Sequence, residues 1–216
     1  MKKMLLYIVI LIFCEIAISY ADCPPGYTEH IISSTYVYNY GEYTFTCDYV
    51  VAYCCTWDNN LKRVVVQIEW FWGQYNWCVF TIPNWNHFLN WLHETVGDSA
   101  DNLCVPAYPP CDDTTQNYYE RTVSSDRCWK YENWQPYQGD DYVLRMKSCN
   151  SYARCESLWR ICLDYSTNPA SLKQTLISKV ANGIPGCVTQ EPTLPPEGDP
   201  QWNQHWETYC FATPCD

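Results

Sequence analysis

The chain has 216 residues, with 13 Lys and Arg against 24 Asp and Glu, for a net charge of −11. Such an acidic surface repels phosphate backbones and anionic lipid headgroups, which argues against nucleic-acid binding and electrostatic membrane docking. With 15 Cys, 11 Trp and 19 Tyr, the composition points to an aromatic-filled, disulfide-stapled chain made for an oxidising compartment.

The N-terminus reads as a secretory signal peptide over residues 1–21. Lys2 and Lys3 form a positive start, an apolar run covers 5–13, and Ser19-Tyr20-Ala21 places small residues at the two positions that define a cleavage site. Glu15 interrupts the apolar run, which is too short to span a bilayer in any case. Cleavage before Asp22 removes two lysines and one glutamate, leaving 11 basic and 23 acidic residues and a net charge of −12. No later stretch is long and apolar enough to span a membrane, so the mature chain is expected to be secreted or cell-surface, without a membrane span after signal cleavage.

Cleavage also removes Cys14. The remaining 14 cysteines are Cys23, Cys47, Cys54, Cys55, Cys78, Cys104, Cys111, Cys128, Cys149, Cys155, Cys162, Cys187, Cys210 and Cys215. An even number in a secreted chain reads as a disulfide framework of seven bridges. No C-x-x-C pair is present and none of the four histidines sits close to a cysteine pair, so no metal site and no cofactor are assigned.

In chain order, residues 31–38, 43–57 and 61–72 are rich in β-branched and aromatic residues, with turns at Asn39-Tyr40-Gly41 and Asp58-Asn59-Asn60, and read as an antiparallel meander. A helix is predicted over 85–96, capped by Asn84 and stopped near Gly97, with Trp85, Phe88, Leu89, Leu92 and Val96 on its apolar face. In the second half, strands are expected at 118–123, 128–131, 142–149 and 154–163. A second helix is expected over 169–181, with Pro169 at its first turn and Leu172, Leu176, Ile177 and Val180 inward. Aligning Cys78 with Cys162 superposes the two helices, and three of the four cysteine intervals in the two halves agree within three residues. The expected fold class is therefore α+β: two duplicated antiparallel sheet-plus-one-helix modules, 22–111 and 112–187. A Pro-rich extended tail, 188–216, follows them. Adjacent Cys54 and Cys55 point to opposite faces of their strand and can serve two partners; Cys55 or a neighbour is expected to hold the tail through Cys210 or Cys215.

No catalytic residue is assigned. The chain lacks G-x-S-x-G, H-E-x-x-H and a Gly-rich phosphate loop, and a fully paired cysteine set leaves no thiol nucleophile. His87 and His93, six apart on the first helix, read as surface residues. The acidic pairs Asp112-Asp113 and Asp140-Asp141 read as solvated turns. The candidate ligand-binding residues are Trp70, Trp72 and Glu69. Two tryptophans two apart share a strand face and could stack on sugar rings, with a carboxylate beside them to take hydroxyls. Against this, Val64, Val66, Ile68, Trp70 and Trp72 form the more apolar parity of the strand and are expected to face the core.

These features point to a non-enzymatic extracellular structural or surface-binding protein. The alternative is a secreted carbohydrate-binding or carbohydrate-cleaving protein that uses aromatic residues and carboxylates. Self-association, an extracellular protein or a glycan are the expected partners. N-terminal sequencing of the protein secreted by an expressing cell should begin at Asp22; an N-terminus that retains Met1 would contradict the signal-peptide reading.

Overall fold

The computed structural model describes residues 23–111, 117–137 and 139–215; the signal segment, with Cys14, and the Asp112-Asp113 pair lie outside them. A meander opens the fold: β1 (Thr28–Tyr40), β2 (Tyr43–Asp58) and β3 (Arg63–Gly73). A short helix α1 (Asn76–Phe80) and a long helix α2 (Trp85–Leu103) follow. Then come β4 (Tyr119–Asp126), β5 (Cys128–Trp134), β6 (Val143–Ser148), β7 (Arg154–Asp164) and β8 (Ser171–Asn182), and in the tail a 3-10 turn, Pro200–Asn203, and the two-residue strands β9 (Trp206–Glu207) and β10 (Phe211–Ala212).

All ten strands belong to one mixed sheet that forks at β3. Residues Arg63 to Ile68 pair with β4 in parallel, and β4 leads on to β7 and β8. Trp70 to Trp72 pair with β6, which leads on to β5, β9 and β10. The sheet thus runs through both halves of the chain. Its main apolar face is covered by α2 and by the tail, whose Leu194, Trp202 and Trp206 pack on the core that holds Tyr49, Phe71, Phe88, Trp129 and Tyr131.

Asn84 caps α2 as the sequence predicts, its side chain accepting from His87 N at 3.0 Å. The helix does not stop at Gly97 but continues to Leu103. Gly97 is there for close approach. A Cβ on it would lie 2.5 Å from Arg121 Cζ, so only glycine lets the helix close over this side chain. Arg121 is fully buried. It donates to Asp101 at 2.5 Å and to Gln174 on β8 at 2.9 Å, and its guanidinium lies over the Trp159 ring at 4.6 Å. Burial pushes the Asp101 carboxyl above its ordinary range, while Arg121 and the Tyr108 hydroxyl oppose that shift.

The second helix expected over 169–181 is instead the strand β8. Leu172, Leu176 and Val180 are spaced by fours, and a step of four keeps a residue on one face of a strand as well as of a helix. Steps of three separate the two periods; α2 has them at 85–88 and 89–92, and 169–181 has only one, Ile177–Val180, which begins at the bulge of β8. Among the described residues the second half therefore carries no α-helix.

The disulfides are Cys23–Cys54, Cys47–Cys78, Cys55–Cys104, Cys111–Cys162, Cys128–Cys187, Cys149–Cys210 and Cys155–Cys215. Cys54 and Cys55 do serve opposite faces, one toward the chain start and the other toward the end of α2. The expected link from Cys55 to the tail is not made: both tail cysteines bond to the second half, where Cys149 and Cys155 flank the start of β7. The pairing in the first half is not repeated in the second, since Cys23 and its counterpart Cys128 reach third and fifth cysteines of their series respectively. Among the described residues no helix is long and apolar enough to cross a membrane.

Replacing a helical glycine with alanine ordinarily stabilises by up to about 1 kcal/mol. Gly97→Ala should do the opposite, destabilising by about 1–3 kcal/mol through overpacking against Arg121. Denaturant unfolding with disulfides intact reads the difference; a higher midpoint in the variant would contradict the packing described.

Candidate functional site

The parity of β3 explains where the sequence-predicted site residues lie. The ladder pairs Ala52 with Trp70 and Tyr53 with Ile68, leaving Glu69 as an extra, bulged residue. A bulge exchanges the faces of everything beyond it. Phe71 therefore joins Val64, Val66 and Ile68 in the main core, and Trp70 moves to the opposite face with Ala52 and Cys54. Trp70 and Glu69 are buried, and Trp72 is half-buried. The Trp70 and Trp72 rings are inclined at 74° and do not share a plane. Arg145 lies over Trp134 at 4.1 Å and near Trp70 at 5.3 Å, and donates to Glu132 at 2.8 Å. Trp70 and Trp134 carry an arginine, and Trp72 packs on Trp134 rather than forming an open platform with Trp70.

An open groove lies on the helix-bearing face, between α1 and the tail. Its volume is about 960 Å³, within the range of small-molecule and oligomer sites. The first wall is the segment after β3. Gly73 sits so close to α1 that a Cβ there would lie 2.4 Å from Cys78 Cβ. That contact seats Cys78 for its bond to Cys47. Tyr49 Oη donates to the Cys78 carbonyl at 2.6 Å, and Asn76 Oδ1 accepts from Leu144 N at 2.9 Å. Held on its inner side, the segment presents Tyr75, Trp77 and Phe80 outward, at 54%, 43% and 41% exposure. The Tyr75 and Trp77 rings are parallel within 8°, with centroids 6.0 Å apart.

The second wall is the Pro-rich tail, extended as its prolines predict. Cys187 is tied to Cys128 at the start of β5, and Cys210 to Cys149 just after β6. Between these ties, Asn133 Nδ2 donates to the carbonyls of Trp202 and Gln204 at 3.0 and 2.8 Å. Trp202 Nε1 donates to the Pro196 carbonyl at 3.0 Å. Tyr131 donates its hydroxyl to Glu191. Burial and that carboxylate push the Tyr131 hydroxyl far above its ordinary range, so it remains a donor and fixes the carboxylate. Glu191, Glu197 and Trp202 face the groove from this wall, with Tyr142 and Val143 at the far end. Among the described residues no lysine, arginine or histidine lines it. The arrangement offers aromatic faces, amides and carboxylates to a ligand, and no cation.

Sequence reasoning marked the tail as extended. The signals that would have placed the groove were Gly73 before Tyr75-Asn76-Trp77 and the carboxylates within the prolines. Their meeting depends on the disulfide partners of Cys187 and Cys210, which spacing does not reveal.

Two other clusters are accounted for. His30, Cys55 and Cys104 bring ligand-type atoms within 4.8 Å of one another, but both sulfurs are used by the Cys55–Cys104 disulfide, so only the imidazole remains to offer a lone pair. His93, read as a surface residue, is 1% exposed. It sits between Ser157 and Ser125 hydroxyls, at 2.9 Å from each ring nitrogen. Burial, with Lys179 and Arg121 nearby, pushes its pKa down to about 3. His87, by contrast, shares a 3.0 Å contact with the Tyr36 hydroxyl at the helix start. Asp140 and Asp141 are exposed in the turn after β5.

No protein-family model, no curated protein and no solved structure matches the chain. The fold and site define a class by themselves: a seven-disulfide α+β chain with one forked sheet and a stapled tail that walls an aromatic groove. The disulfide complement fits a chain that matures outside the cytosol.

His93 also sets a pH dependence. Unfolded, its imidazole titrates near 6.5; folded, it stays neutral down to about pH 3. Acidification therefore protonates the unfolded chain first, and stability falls as pH drops through 6.5 toward 3. The loss between pH 7 and pH 4 should be about 3 kcal/mol from this group. His93→Gln, compared with the parent at each pH, should flatten the decline by that amount; an unchanged pH slope would contradict the burial of a neutral imidazole.

Proposed function

We propose that the protein is a secreted, non-enzymatic binding protein, and that it holds a neutral or amine-bearing oligosaccharide in the groove between α1 and the tail. The observation that carries the reading is the outward, parallel Tyr75 and Trp77 pair facing Glu191 and Glu197 across an open cleft. Aromatic faces pack against the apolar faces of sugar rings, burying area without demanding a hydrogen bond. Carboxylates and amides accept and donate to hydroxyls, and the carboxylates also attract an ammonium group. Among the described residues no cation lines the groove, which disfavours sulfated and uronate glycans, because its exposed carboxylates repel like charge. The seven disulfides and the acidic net charge suit a soluble protein working in dilute extracellular conditions.

The carboxylates of the groove hold ligands in this reading and carry no chemistry. Glu191 accepts from the Tyr131 hydroxyl, which fixes its place on the tail wall.

Intrinsic tryptophan fluorescence reads binding directly. Cellohexaose and a glucosamine hexamer should each give a saturable change, and a heparin hexasaccharide should give none. Trp77→Ala should weaken binding about tenfold, the size of a stacking anchor, while Trp72→Ala on the opposite face leaves it unchanged. Equal binding by Trp77→Ala, or preference for the heparin fragment, would overturn the assignment.

A further inference from the structure

The sheet has two long free edges, and they are built differently. Edge β8 carries a bulge at Ile177, where Leu158 and Trp159 pair with Ser178 and Leu176, and two lysines, Lys173 and Lys179. Both features are devices that discourage strand addition. Edge β1 has neither. It pairs with β2 through 13 consecutive residues without a register shift, and contains no proline, lysine or arginine. Among the described residues, nothing pairs with its outer side.

The β1 sequence is also self-complementary about Ser34. Laid antiparallel to a second copy across a twofold axis at Ser34, each residue faces the one equally distant on the other side. Ile31 then meets Val37, Ile32 meets Tyr36, Ser33 meets Thr35, His30 meets Tyr38 and Glu29 meets Asn39. Aliphatic meets aliphatic and hydroxyl meets hydroxyl, and the only carboxylate of the strand does not face its own copy. Ile31 and Val37 lie on the face away from α2 and are 45% and 47% exposed, so each has area to bury. Sliding by two residues either way, the smallest step that keeps faces matched, sets Ile31 against Thr35 or Asn39 and loses both aliphatic pairs.

We infer that β1 is the interface of a symmetric homodimer, in which two copies join antiparallel through residues 29–39 to make one continuous sheet. The partner is a second copy of this chain, and the surface is distinct from the ligand groove. Main-chain hydrogen bonds supply the pairing and the Ile31–Val37 contacts set the register. The closed twofold leaves no further free β1 edge, so assembly stops at two.

Sedimentation velocity on the oxidised mature protein, from about 1 to about 500 µM in 0.15 M salt to screen its acidic charge, tests this. The parent should pass from monomer to dimer across that range. Val37→Lys loses the aliphatic pair twice by symmetry and should weaken the dimer about tenfold. Ile31→Lys with Val37→Lys sets lysine against lysine and should abolish it. Ile31→Glu with Val37→Lys sets the new glutamate against the new lysine in this register alone and should restore it. Both positions are solvent-exposed, and an unchanged thermal melt verifies folding of each variant. A parent that stays monomeric throughout, or a dimer indifferent to these changes, overturns the proposal; a Glu/Lys variant no better than Lys/Lys overturns its register.

Discussion

The groove exists because one loop is fastened at both ends. Residues 188–209 contain the tail prolines and could not enter the sheet interior, since proline lacks the N–H a central strand must donate. Free in solution, such a segment would sample many extended conformations. Cys128–Cys187 and Cys149–Cys210 hold its two ends beside the β5–β6 pair. The isolated bridge between Val188 and Phe211 draws those ends together. Each crosslink removes about 2–4 kcal/mol of unfolded-chain freedom. What remains is a loop whose middle must stand off the sheet, and Tyr131 and Asn133 fix how far it stands.

The opposite wall depends on the first half of the chain. Gly73 allows α1 to turn tightly against the end of β3, and Cys47–Cys78 locks the turn. Farther along the same face, Gly97 lets α2 lie over Arg121, which reaches Asp101 on the helix, Gln174 on β8 and the Trp159 ring on β7. A buried guanidinium left unpaired would be costly, so helix, β4 and β8 are held in mutual register by this one side chain. Two glycines, neither at a loop tip, thus set how closely the two helices approach the sheet, and Gly73 is the one beside the groove.

Much of this was legible in the sequence. The meander, the β4 to β7 strands, the Asn84 cap and the extended tail follow from local composition and turn chemistry. Three features were not legible, each for a physical reason. The second helix is a strand because spacings of four satisfy both periods, and β8 has a single apolar step of three, Ile177–Val180. Trp70 and Trp72 changed faces because a bulge is fixed by the facing strand, and Glu69 carries no local mark of it. Gly97 reads locally as a stop, and only the arginine beneath it, 24 residues later in the chain, shows why a glycine is needed there. The candidate site was displaced for the second of these reasons. The exposed aromatic residues of the groove are Tyr75, Trp77 and Phe80, and the carboxylates beside them come from the tail through disulfide pairing that spacing leaves open.

The central claim is that the stapled tail and the α1 turn together form the ligand surface. Hydrogen–deuterium exchange of the oxidised protein, with and without saturating glucosamine hexamer, tests it most directly. The account predicts slowed exchange confined to residues 74–80 and 189–204, with no change at 70–72 or 132–134. Protection centred on that second set, or none in the tail, would contradict it.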